Sequence, residues 1–298
     1  MAVVHVPTLN DKAWHFDQLF SLWRDLAQDR VEVRLDFSLC RFLRQNAVAF
    51  LGGLVRLIEY RGGCVEFAWD TLQPAVRANL AQNGFMASFG GGARPWSGNS
   101  IPFREDSWQE TPSLQSYHLV QRYLSDQWLG RGWVNVSPGL GDAIVGQMAE
   151  VYLNAFEHAG SRIGVFSCGQ HFPRNRELNL TVVDFGVGIP GNVRMFKANE
   201  FGPNQLPAAS CIEWAFQRGT STKPGGRGIG LDLLREFVQK NGGRLEMFSH
   251  EGYVCVAGGR VSYAERPTFF EGTLVNISLR CDESYYCLAS ELPDEAPF

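Results

Sequence analysis

Glu150, Asn154 and His158 recur every four residues, so in a helix they project from one face, with Met148, Tyr152, Ala155 and Ala159 on roughly the opposite one. A helix seated on the second set presents a carboxylate, an amide and an imidazole to whatever lies beyond it. Taken alone, that face is as simply read as a solvated one. A second run, from Leu180 through Asp184, Gly186, Gly188 and Ile189 to Pro190, reads as a buried strand ending in an aspartate. A carboxylate there can accept a hydrogen bond from an amino group, and glycine lets a ligand lie against backbone. If the partner is an adenine amine, the charge-assisted bond contributes about 1.5–3 kcal/mol, enough to select a base. For Asp184 alone, an ordinary strand-to-loop turn is the alternative. The third run is Gly225-Gly226-Arg227-Gly228-Ile229-Gly230-Leu231, with a helix starting at its end. Accessible backbone N–H groups and a helix N-terminus together favour phosphate. No Gly-Lys-Ser/Thr closes the run as in a P-loop, and no strand directly precedes it as a dinucleotide fingerprint requires.

In order and spacing, E-x-x-x-N-A-x-x-H, D-x-G-x-G-I and G-x-G-x-G-L, closed by Gly272-Thr273, resemble the GHKL ATPase superfamily over residues 113–281. That group comprises gyrase-type topoisomerases, heat-shock chaperone ATPases, mismatch-repair ATPases and histidine kinases, with anti-sigma-factor serine kinases as near relatives. The resemblance implies a Bergerat-fold α/β sandwich, helices over one face of a mixed sheet and ATP between them. By position it implies that Asn154 holds Mg²⁺ through its amide oxygen and that Glu150 polarises the attacking water or acceptor hydroxyl. Asp184 would bind the adenine amine with Thr273 in support, and Gly186 and Gly188, followed by Ile189, would admit the base. Gly226, Gly228 and Gly230 would wrap the phosphates, with Arg227, Ile229 and Leu231 in the same loop. His158 is read as a packing or capping residue. The lid over ATP falls at about 191–225, where Arg218, Thr220, Ser221, Thr222 and Lys223 bring charge and hydroxyls toward the γ-phosphate. Lys223 is the candidate phosphate contact; a solvated loop lysine is the alternative.

The elements that must position these residues are legible as periods. Val31, Val33, Leu35 and Phe37 alternate with charges as a half-buried strand, and Val48, Leu51, Val55 and Ile58 mark a helix over 45–60 that Gly62-Gly63 ends. Helices over 14–27 and from Pro74 to Asn83, and a strand from Cys64 to Trp69, complete a small α/β layer. The Gly90-to-Thr111 stretch has glycines, two prolines and no apolar period, which places a linker at 93–112 that packs through Trp96 and Trp108. Beyond it, Leu114, Tyr117, Val120, Leu124 and Trp128 make one helix face, and a second helix runs from about Asp142 to Ala159. Strands follow at 178–184, 244–249, 253–257 and 273–279, interrupted by a helix at about 229–240. The expected organisation is therefore α/β (α+β), with domains at 1–92 and 113–298.

Residues 31–85 resemble a STAS domain, the fold of anti-sigma-factor antagonists, in the strand ending Leu35-Asp36-Phe37-Ser38 and the helix that follows. Phosphorylatable members start that helix with an Asp-Ser-Ser-Gly-like turn. Here Arg44-Gln45-Asn46-Ala47 offers no hydroxyl, and His118 lacks the acidic neighbour and proline of a histidine phosphoacceptor box.

The charge sum of −4 and a pI near 5.9 argue against broad coating of nucleic acid or anionic membrane. Seven scattered cysteines without a C-x-x-C pair suit neither a disulfide framework nor a zinc knuckle and point to a reducing cytoplasm. The longest uncharged apolar run, Ala47 to Val55, is too short to span a bilayer, so a soluble protein is expected. The leading expectation is a Mg²⁺-dependent ATP-binding and hydrolysing module whose lid state reaches a protein partner through the STAS-like domain. The alternatives are a serine/threonine kinase acting on a separate partner, a non-catalytic ATP sensor, and a scaffold with a decayed nucleotide site. Relatives commonly dimerise, and no residue here demonstrates a homodimer.

Overall fold

The computed structural model describes residues 1–92, 94–107, 114–198, 206–217 and 231–292. The chain opens with β1 (Ala2–His5), α1 (Ala13–Leu26), β2 (Glu32–Asp36), α2 (Gln45–Tyr60), β3 (Cys64–Ala68), α3 (Pro74–Gln82) and the single turn α4 (Phe85–Ser88). The three strands form one parallel sheet in the order β1-β2-β3, as helical crossovers between successive strands dictate. In α2, 13 of 16 residues are buried. Ala47, Phe50, Leu54 and Leu57 add a second apolar face to the one the sequence marks, and a helix apolar all round must lie between two layers.

A strand follows where a linker is expected: β4 (Ser100–Asp106) buries Ile101 and Phe103. Pro102 breaks its alternation and is tolerated because β4 is an edge strand, irregular between Ile101 and Arg104. Next come α5 (Leu114–Tyr123), β5 (Asn135–Val136), α6 (Pro138–His158), β6 (Val165–Phe172), β7 (Glu177–Asp184), α7 (Gly188–Phe196), α8 (Ala208–Ala215), α9 (Asp232–Asn241), β8 (Arg244–Ser249), β9 (Gly252–Ala257), β10 (Arg260–Glu265), β11 (Thr273–Arg280) and β12 (Tyr285–Tyr286). Seven strands make the main sheet, in the order β10-β9-β8-β11-β7-β6-β4.

Every neighbouring pair in that sheet is antiparallel, which corrects the expected mixed sheet. The reason lies in the connections: β6–β7 and β8–β9–β10 are joined by short hairpin turns, and β11 enters between β8 and β7, antiparallel to both. Both faces of the sheet are covered. Leu178, Leu180 and Val182 of β7 pack into the core under α5, α6 and α9, while Val183 and Phe185 join the core that includes α1 and α2. Period two thus sends alternate residues into two different cores, and β7 reads as a continuous buried run.

The layers run three-stranded sheet, α1 and α2, seven-stranded sheet, outer helices. Phe16 and Phe20 of α1 stack on Phe248 and Phe270, at centroid distances of 4.4 and 5.1 Å. Ion pairs fix the corners: Arg56 to Glu105 at 2.7 Å, Arg266 to Asp17 at 2.6 Å, and buried Arg44 to both Asp11 and Glu177, over the Phe172 ring. No helix among the described residues is long and apolar enough to cross a membrane.

Candidate functional site

α6 carries the first set of residues. It begins at Pro138, ahead of the expected start, because the Ser137 hydroxyl accepts the Leu140 N–H at 3.2 Å and proline suits the first helical position. Met148, Val151 and Tyr152 are buried against the sheet, which turns Glu150 out to solvent and leaves Asn154 and His158 half-buried. Burial, with the charge of Glu150 on α6 adding to it, pushes the Tyr117 hydroxyl of α5 up. The Asn154 amide nitrogen is buried and has no hydrogen-bond partner among the described residues. A carboxamide with one end unsatisfied suits a ligand: a half-turn about χ2 brings its oxygen there to meet a hard cation or its water. Asn154 therefore fits a Mg²⁺ ligand.

β7 places the second set. Asp184 is the last residue of the strand, flanked by Val165 of β6 and Thr273 of β11, and is only 4% exposed. Its Oδ1 accepts the Gly186 N–H at 2.9 Å. Burial pushes its carboxyl up to about 7, while hydrogen bonds from the backbone of Gly186 and Thr273 pull it down. Among the described residues, backbone groups alone hold this carboxylate.

The glycines of this turn answer to the protein's own backbone. A Cβ on Gly186 would sit 1.9 Å from the Ala159 carbonyl oxygen, and that carbonyl accepts the Val187 N–H at 2.7 Å. Gly188 has φ +67°, and a Cβ there would meet the Glu271 carbonyl at 2.3 Å. Asn192 Nδ2 donates to the His158 carbonyl at 2.8 Å. The C-terminus of α6 is thereby bound to the turn after Asp184, and the first two boxes meet.

Ser249, at the end of β8 and opposite Thr273, joins the rest. Its hydroxyl accepts the Ile189 N–H at 3.0 Å, donates to the Gly272 carbonyl at 2.9 Å and lies 3.1 Å from Thr273 Oγ1. Sequence reasoning passes over Ser249, because only the register of β8 on β11 brings it there. The register supplies a signal in hindsight: a serine that ends a strand beside the Gly-Thr pair.

Of the third set, Leu231 is buried ahead of α9, where the Leu234 N–H donates to Gln147 Oε1 of α6 at 2.6 Å. That bond fixes the start of α9 beside α6, one turn from Glu150. Lys223, Gly226, Arg227, Gly228, Ile229 and Gly230 lie outside the described residues, as do Arg218, Thr220, Ser221, Thr222 and Trp108. Within the stretch expected to be a lid, α7 and α8 are packed helices. Ala208, Cys211 and Ile212 of α8 are buried, and Arg194 of α7 donates to the Leu206 carbonyl at 2.9 Å.

Residues 139–281 match the family model described as histidine kinase-, DNA gyrase B-, and HSP90-like ATPase. The match opens at the start of α6, closes after β11 and encloses all three boxes, so this part of the chain is similar to GHKL-type ATPase domains, and that similarity supports ATP binding. No curated protein matches the chain.

Proposed function

We propose that this protein binds Mg²⁺-ATP between α6, the Asp184 turn and the start of α9, hydrolyses it, and relays the nucleotide state to a protein partner through its STAS-like N-terminal layer. The observation that carries the reading is the Asp184 carboxylate, held at a strand end by backbone partners alone among the described residues, beside a helix whose Asn154 amide nitrogen has no partner among them. An adenine amine donating to Asp184 satisfies the first, and a cation meets the second once the Asn154 carboxamide turns its oxygen toward it. Mg²⁺, when bound, neutralises phosphate charge and orients the phosphates.

In this reading Asp184 accepts from the amine and selects the base, while Ser249 and Thr273 keep the Asp184 turn and the Gly272 backbone in register. Exposed Glu150 polarises a water, whose oxygen bonds to the γ-phosphorus as the bond to the β,γ-bridging oxygen breaks. Glu150 accepts the water's proton, and ADP departs with the electron pair. Gly226, Gly228 and Gly230 surround the phosphates, with Lys223 at the γ end.

The same Glu150 would serve a partner's hydroxyl if the protein is a serine/threonine kinase. The start of α2 favours a separate acceptor over self-transfer: Gln45 and Asn46 are buried where a phosphorylatable turn would stand. Incubation with Mg²⁺ and γ-labelled ATP, following free phosphate and protein-bound label together, tests both readings. Free phosphate that vanishes in Glu150→Ala is the expected result. Label on an added partner would replace hydrolysis by transfer.

A further inference from the structure

Asp184 ends β7 and Phe185 follows it directly, and the two face opposite sides of the sheet. Asp184 shares the face of Val182, under α6, while Phe185 points with Val183 into the core formed with α1 and α2. There the Phe185 ring lies 5.2 Å from Phe50 of α2, 5.4 Å from Phe270 and 6.1 Å from Phe166. The fourth wall is backbone. A Cβ on Gly53 would stand 2.1 Å from the edge of the Phe185 ring and 2.8 Å from Phe166. Glycine in mid-helix is unfavourable, and α2 has two in succession. Gly52 admits Phe103 of β4 in the same way, at 2.4 Å. The pair lets α2 lie directly on the sheet, and the residue it lies on at Gly53 is the neighbour of the carboxylate.

The rest of the α2 seam is not fully satisfied. At its N-terminal end Gln45 Nε2 donates to Asn276 Oδ1 at 3.3 Å, and Asn276 donates to the buried carboxylate of Glu246. Gln45 Oε1 and Asn179 Nδ2 are buried without partners among the described residues. Unsatisfied polar groups at one end weaken the docking of α2, so the aromatic seat at the other end carries more of it.

We propose that Gly53 and Phe185 are positioning residues for the nucleotide site: the contact of α2 on the Phe185 ring sets the Asp184 carboxylate and the Gly186 turn, so the N-terminal layer controls nucleotide affinity. Coupling of this kind is reciprocal, and bound nucleotide must tighten α2 on the sheet. The proposal rests on Asp184 being the adenine site.

The test compares nucleotide affinity with stability in the full chain, using a fluorescent ATP analogue with Mg²⁺ and a thermal melt for each variant. Gly53→Ala should weaken binding by about tenfold, a typical size for coupling between sites. Gly53→Ala combined with Phe185→Leu, which removes the ring edge the new methyl strikes, should recover part of that loss. Gly52→Ala adds the same methyl against Phe103, two strands away, and should lower the melting temperature without a comparable loss of affinity. Equal effects of Gly52→Ala and Gly53→Ala on affinity, or a Gly53→Ala protein that melts lower yet binds normally, would overturn the proposal. In the unsubstituted protein, saturating analogue should slow amide exchange within α2, and unchanged exchange with the analogue bound would also overturn it. If the unsubstituted protein binds no analogue, the failure lies with the Asp184 reading.

Discussion

Asp184 is the residue at which burial opposes the recognition proposed for it. Its carboxyl, pushed up to about 7, keeps its proton in the fold at a pH where the unfolded chain has lost it. The folded state then binds more protons between the ordinary carboxylate range and about 7. Stability is highest below the unfolded value, falls as pH rises through that window, and levels off above about 7. Asp184→Asn should flatten this slope and raise the melting temperature above neutral pH, read by melts across the range. Nucleotide affinity has the opposite dependence, because only the ionised form accepts with full charge from an amine: it should strengthen as pH rises through about 7 and lose that rise in Asp184→Asn. An unchanged affinity in Asp184→Asn would remove the residue from the site. Glu150→Ala should leave binding intact and cut turnover by roughly 10²- to 10⁴-fold, the usual range for a general base. Asp184, Asn154 and Glu150 could be proposed from sequence because the spacing within each run is local. Ser249 could not, since its three hydrogen bonds come from residues brought together by strand register. Ser249→Ala should leave the Ile189 N–H without its acceptor, cost roughly 1–3 kcal/mol in stability and weaken nucleotide binding. Binding equal to the parent would make Ser249 a fold residue only.

At the scale of elements, legibility followed burial. α1, α2, β2 and α6 bury apolar residues at helical or alternating spacing, while β7, β8 and β11 are nearly continuous buried runs, and both patterns mark elements in sequence. β1 and β10 lie at sheet edges and are largely exposed, so little alternation distinguishes them. β6 carries Gly169 and polar residues in its middle, and β4 carries Pro102. α7 opens on Gly188, Pro190 and Gly191, a composition that reads as a turn; in place, Ser249 accepts the Ile189 N–H and Asn192 ties the helix to α6. The outer helices depend on one another in the same way. Gln147→Leu would keep the volume on α6 and take away the acceptor of the Leu234 N–H, loosening the start of α9 where the third glycine set ends. It should lower nucleotide affinity more than it lowers the melting temperature. A variant with parental affinity would show that the α6–α9 bond serves packing alone.

Across the whole molecule, the expected division at the linker meets a shared core. Phe16, Phe20, Phe50 and Gly53 of the N-terminal elements lie against Phe185, Phe248 and Phe270 of the ATPase-like part, and β4, from the expected linker, closes the main sheet. A sequence shows which residues want burial but not that one helix serves two sheets; α2 could be read as a one-faced helix until its second face was placed. The same contacts decide how the molecule unfolds. Removing the N-terminal layer would expose the buried phenylalanine face of the seven-stranded sheet, and each such side chain gains about 1.5–3 kcal/mol from burial. The sheet without its layer is therefore strongly destabilised, and the layer, a three-stranded sheet with its helices stripped of their main apolar partner, has little core of its own. The two halves should melt together. Tryptophan fluorescence, with reporters in both halves, and far-ultraviolet circular dichroism should give one coincident transition in denaturant, displaced as a whole by saturating Mg²⁺ and nucleotide. Two separated transitions, with only the second displaced by nucleotide, would show that the halves fold independently and that the shared core does not bind them into one cooperative unit.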